Sequence, residues 1–207
     1  MLGDMWALQL GDTDAQMAWE PVQLDAKAAK PGASSGHTCV AMGQRLVCFG
    51  GYLALGAGTV WAFDARARVW EEHRPANARA PAPQARMNHT AVALGGEMLV
   101  FGGFIHQWHP CCELWWYNLA SNTWAQKPLQ ADSPVPPARY DHAACRGDDG
   151  CMYIVGGLDT DSHVLDDCWR FDPVELRWEL LGHSPSPARR SAQLTAGLFI
   201  IIVIKSM

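Results

Sequence analysis

Three things are scarce in this chain of 207 residues: positive charge, long apolar runs and a basic-then-apolar leader. Acidic residues outnumber Lys and Arg by 21 to 16, a net charge of −5, which argues against a nucleic-acid-binding surface. The longest apolar run, Leu198 to Ile204, has seven residues. A membrane-spanning helix needs about 20, and β-branched residues of this kind read as a buried strand. Met1 to Trp6 has neither the basic start nor the apolar centre of a secretory signal. No membrane and no nucleic-acid partner is therefore expected. Cysteine is odd in number, seven, and scattered, so a complete disulfide framework cannot form and a reducing, cytoplasmic setting is expected. What the chain has in quantity is apolar residues, 49%, and ten tryptophans. That apolar share excludes disorder throughout.

The tryptophans belong to a repeat. Three apolar runs end in a double glycine: Leu46-Val47-Cys48-Phe49-Gly50-Gly51, Met98-Leu99-Val100-Phe101-Gly102-Gly103 and Met152-Tyr153-Ile154-Val155-Gly156-Gly157. A histidine precedes each (His37, His89, His142). An aromatic strand ending in Asp or Asn follows each: Trp61 to Asp64, Trp115 to Asn118, Trp169 to Asp172. A second tryptophan comes nine residues after the first in all three copies: Trp70, Trp124, Trp178. Trp6 and Trp19 read as the tail of an earlier copy.

Four kinds of landmark in fixed order, three times over, resemble the Kelch repeat. The resemblance covers roughly Met5 to Leu198. It implies an all-β Kelch-type β-propeller, each repeat of about 50 residues folding as one four-stranded blade. Complete blades are expected at 34–72, 86–126 and 139–181, with half-blades at 5–22 and 189–204, all in one propeller domain. Small residues after His89 suit an inner strand near the axis, Gly95-Gly96 a tight hairpin, and Glu97 to Phe101 a strand buried on both faces. Trp124 is expected to pack between blades, and the repeat histidines to bond backbone in an adjacent turn. Proline-rich links lie between the blades at 75–84, 128–137 and 184–187.

The last copy breaks off. Ala192 stands where His is expected, and no double glycine closes the strand. A fragment of a larger Kelch protein, a ring completed by self-association through open blade edges, and a four-bladed closed ring all accommodate this.

In the family, partners are commonly held by loops on one face, those leading into the first strand and those after the double glycine. Carried over by position, the first set supplies Arg86, Asn88, Arg139, Tyr140 and Arg189, with Ser34 in place of Arg in the first blade. The arginines would either grip an anionic group or tie loops and blades together. The second set supplies Tyr52, Phe104, Gln107, Trp108, His109, Asp159 and His163. The expected function is a scaffold that binds a protein or peptide, with no cofactor and no catalysis. The alternative is an enzyme on a galactose-oxidase-like or sugar-isomerising propeller. Neither His106-Gln107-Trp108-His109-Pro110-Cys111-Cys112 nor the acidic Asp159-Thr160-Asp161 has the spacing of a usual zinc or calcium site.

Overall fold

The computed structural model describes residues 5–9, 18–24, 28–52, 58–77, 79–105 and 109–183. Gln107, Trp108, Arg189 and the expected half-blade 189–204 lie outside them. The described residues are all-β. Three antiparallel four-stranded sheets follow one another along the chain. The first is β3 (His37–Met42), β4 (Arg45–Gly50), β5 (Val60–Asp64) and β6 (Val69–His73). The second is β7 (Thr90–Leu94), β8 (Glu97–Phe101), β11 (Leu114–Asn118) and β12 (Thr123–Ala125). The third is β13 (Ala143–Arg146), β14 (Met152–Val155), β15 (Asp167–Asp172) and β16 (Arg177–His183). Each is the up-and-down sheet of a propeller blade, and the described sheets are not closed into a ring. A two-stranded hairpin, β1 (Trp6–Gln9) with β2 (Ala18–Pro21), packs Met5, Val22 and Leu24 against Leu46, Cys48 and Phe63 of the first blade.

The double glycines are where the blades lock together. Gly102 and Gly103 both take positive φ, 66° and 88°. The N–H of Gly103 donates to the Arg139 carbonyl of the next blade at 2.8 Å, and Gly51 donates in the same way to Arg86 at 2.7 Å. A Cβ on Gly102 would come within 2.7 Å of that Arg139 oxygen, and one on Gly103 within 2.6 Å of His89 Cβ. Glycine is required twice over, by conformation and by close approach.

The outer tryptophans complete the seam. Trp124 of the second blade meets Phe49 of the first (ring centroids 4.8 Å apart), and Trp178 of the third meets Phe101 of the second (5.0 Å). The phenylalanine is always the residue before the double glycine, so one short motif carries both interblade contacts. Trp124 also donates its indole N–H to the Gly58 carbonyl at 2.8 Å.

Two features were not expected from the sequence. The first is a small hairpin after the second double glycine, β9 (Phe104–Ile105) with β10 (His109–Pro110). The second is a disulfide between Cys39 and Cys48, which the β3–β4 register sets opposite each other. Five cysteines stay free, so no complete framework forms.

Candidate functional site

The two loop sets meet on one face and are hydrogen-bonded to each other. In the second blade Met87 and Phe104 exchange N–H···O=C bonds of 3.0 and 2.8 Å. In the third, Tyr140 and Leu158 do the same at 3.1 and 2.9 Å. In the first, Tyr52 donates to Ser35 at 2.7 Å. Nearer the axis the residue before each repeat histidine has positive φ: Gly36 (69°), Asn88 (56°) and Asp141 (53°). These backbones form a relay, Asn88 N–H to Gly36 at 2.8 Å and Asp141 N–H to Asn88 at 3.0 Å. Three blades therefore present one continuous rim.

Arg86 and Arg139 do not stand on that rim, and the expectation that they contact a partner is corrected. Their side chains are 0% exposed. Arg139 grips both oxygens of Asp167 at 2.6 Å and donates to the Gly156 and Pro137 carbonyls. Arg86 bonds Glu113 at 2.6 Å, the Gly102 and Gln84 carbonyls and the Cys111 sulfur. Each guanidinium is thus spent on its own blade, fastening the turn at the double glycine to the start of the third strand. Burial raises the pKa values of Glu113 and Asp167, but hydrogen bonds from the arginines and from Trp115 and Trp169 outweigh it and hold both carboxyls below their ordinary range. The first blade lacks both partners, with Ser34 and Thr59 at the matching positions. Ser34 bonds the Tyr52 carbonyl instead, at 2.8 Å.

The residues that do face outward come from the loop tips. Tyr52, His109 and His163 are exposed; Asn88, Phe104 and Asp159 are half-buried. Tyr140 is buried under Phe104 of the neighbouring blade, their rings 3.9 Å apart and inclined by 30°. Its hydroxyl meets Ser162 Oγ at 3.1 Å. Asp159 caps its own loop, accepting from the N–H groups of Asp161 and His163 at 2.9 and 2.8 Å. Asp159, Asp161 and His163 bring ligand atoms within 4.8 Å of one another, on an exposed loop. Asp141, in the same leading loop as Arg139 and Tyr140, stands half-buried on the axial relay, and burial raises its carboxyl pKa. Cys111 and Cys112 diverge: one is buried beside Arg86 and the other exposed. Burial pushes the Cys111 thiol up.

The repeat histidines are architectural, with a partner that differs from the expected backbone. His89 Nε2 lies 2.7 Å from Thr38 Oγ1 of the preceding blade, and His142 Nε2 lies 2.7 Å from Thr90 Oγ1. Burial, with neighbouring Arg86, drives the His89 pKa well down; burial, with neighbouring Arg139, takes His142 to about 3. Both are neutral when folded and titrate near 6.5 when unfolded. Below that pH the unfolded chain binds more protons, so stability should fall as pH falls from 6.5 toward 3. Each histidine contributes a slope on the order of 1.4 kcal/mol per pH unit. Urea midpoints at pH 7.5 and 5.0 check this; equal midpoints would mean that the imidazoles are solvated.

The family described as the KLHDC2/KLHL20/DRC7 Kelch-repeats domain matches residues 1–203. Kelch domain-containing protein 3 of Bos taurus is 28% identical over 192 residues, 83% of this chain and 47% of that protein. Kelch domain-containing protein 1 of Homo sapiens is 25% identical over 207 residues, 90% of this chain and 50% of that protein. Tip elongation aberrant protein 1 of Schizosaccharomyces pombe is 26% identical over 181 residues, 83% of this chain and 15% of that protein. The chain spans about half the length of the first two.

Proposed function

Since the chain belongs to the Kelch-repeat family, we propose that it is a protein-interaction module that binds a protein or peptide on the loop face. The observation that carries this reading is the continuity of the rim. The loop sets are hydrogen-bonded within each blade, and Phe104 stacks on Tyr140 between blades. Loop backbones held on such a frame lose little freedom on binding, which favours affinity. Tyr52, Asn88, Phe104, His109, Asp159 and His163 are the proposed contacts. Aromatic residues on a rim are typical anchors of interfaces. The mixture of imidazole, amide and carboxylate supports a polar peptide surface rather than an apolar one. The galactose-oxidase-like alternative draws no support from the family matched, and we propose no catalytic role.

Quantitative affinity capture from cell extract tests the reading. The bait is the full chain, beside a rim variant carrying Tyr52→Ala, His109→Ala and His163→Ala and a control carrying Val174→Ala on an exposed turn. Proteins retained by the wild type and the control should be lost from the rim variant. Identical retention by all three overturns the proposal.

A further inference from the structure

We infer that the chain carries a second binding site, for an acidic peptide segment, on the face opposite the loop rim and anchored by Arg146. A cleft of about 850 Å³ opens there, lined by residues of all three blades and by the hairpin turns at Gly43 and Gly95-Gly96. That volume is within the usual range for ligand sites, about 300–1,000 Å³.

The repeat itself singles out the anchor. Four residues on from each repeat histidine stand Ala41, Ala93 and Arg146, and all three line the cleft. A residue recurring in every blade is architecture. Here two blades carry alanine, which leaves space, and the third places a long cation in it.

The balance of charge gives the sign of the ligand. Arg45, also in the wall, is already held by Glu71 at 2.7 Å and Asp64 at 3.9 Å. Glu72 is held by Arg74 at 3.0 Å, and His73 Nδ1 meets the Tyr117 hydroxyl at 2.8 Å. Arg146 is exposed, and no carboxylate of the described residues lies within ion-pair distance of it. The uncompensated charge in the cleft is therefore positive, and a guanidinium pairs best with a carboxylate in bidentate geometry.

The rest of the wall favours a peptide over a free inorganic anion. Met42, Ala93 and Leu119 offer apolar surface that a bare anion would not use. A Cβ on Gly43, Gly95 or Gly96 would meet nothing within 4 Å, so the turn backbone is open to an approaching chain. An acidic side chain on Arg146 with an apolar neighbour on Leu119 uses both halves of the cleft. This site is independent of the loop rim.

Fluorescence anisotropy of the full chain tests it, with end-blocked fluorescein-labelled Glu-Leu-Ala-Leu as the probe and Gln-Leu-Ala-Leu as its neutral counterpart. The acidic probe should bind more tightly than the neutral one, and Arg146→Glu should weaken it by roughly tenfold or more. Ala41→Gln, which fills exposed space without changing charge, should also weaken it, whereas Tyr52→Ala on the rim should leave it unchanged. Thermal melting confirms that each variant folds. Equal affinity for both probes, equal binding by Arg146→Glu, or no binding of the acidic probe at about 1 mM overturns the inference. Loss on Tyr52→Ala in place of Arg146→Glu would assign the peptide to the rim and do the same.

Discussion

Asp167→Ala should destabilise the chain by about 3–5 kcal/mol, measured by urea unfolding at neutral pH. Asp167 accepts both terminal nitrogens of Arg139 at 2.6 Å and the Trp169 indole N–H at 2.7 Å. Arg139 is wholly enclosed, and Asp167 is the carboxylate paired with it. Deleting the acid leaves a buried cation facing backbone carbonyls alone, which costs far more than the pair contributes over an apolar substitute. Glu113→Ala is the internal comparison. Its carboxylate is 42% exposed and meets Arg86 through one 2.6 Å bond, so solvent can take over much of its role. The expected order is Asp167→Ala well above Glu113→Ala. A cost below about 1 kcal/mol for Asp167→Ala would show that Arg139 finds another anion or turns outward.

Trp178→Ala should cost a similar amount, about 3–5 kcal/mol, for a different reason. The indole is 1% exposed and lies 5.0 Å from both Phe101 and Phe171. Removing it opens a cavity at the seam between the second and third blades, where backbone on both sides is fixed by strand ladders and relaxes little. The transition should also lose cooperativity, since the seam couples the blades. Val174→Ala, 85% exposed on the same blade, should stay within about 0.5 kcal/mol. If Trp178→Ala unfolds with the wild-type midpoint and slope, the blades are not held by their outer tryptophans.

Much of this was legible in the residues because propeller contacts recur. Gly50-Gly51 and Gly102-Gly103 gave away the tight crossing, and the nine-residue tryptophan step gave the third and fourth strands. The role of the arginines was harder. Arg86 and Arg139 have the chemistry of an anion site, and nothing local shows that they turn inward. The signal lay between repeats: Glu113 and Asp167 accompany the arginines, whereas the first blade has Ser34 with Thr59. The histidine partner was encoded in the same way. Thr38 and Thr90 follow a repeat histidine and receive the next blade's imidazole. The third blade has Ala143 there, and the next copy has Ala192 in place of His. Hydroxyl and imidazole disappear together. The Cys39–Cys48 bond depends on hairpin register, which no composition rule supplies. The β9–β10 hairpin rests on two-residue strands, too short to leave a periodic pattern.

Amide hydrogen exchange at the base of the rim tests the central claim, that the binding loops stand on blades welded into one body. Gly51, Gly103, Asn88 and Asp141 donate their N–H groups across blade boundaries. They should exchange as slowly as the centres of β8 and β14, while Thr160 on the exposed loop exchanges fast. Exchange of the four boundary amides at the loop rate would contradict the account, because the blades would then open independently and no continuous rim would exist to bind a partner.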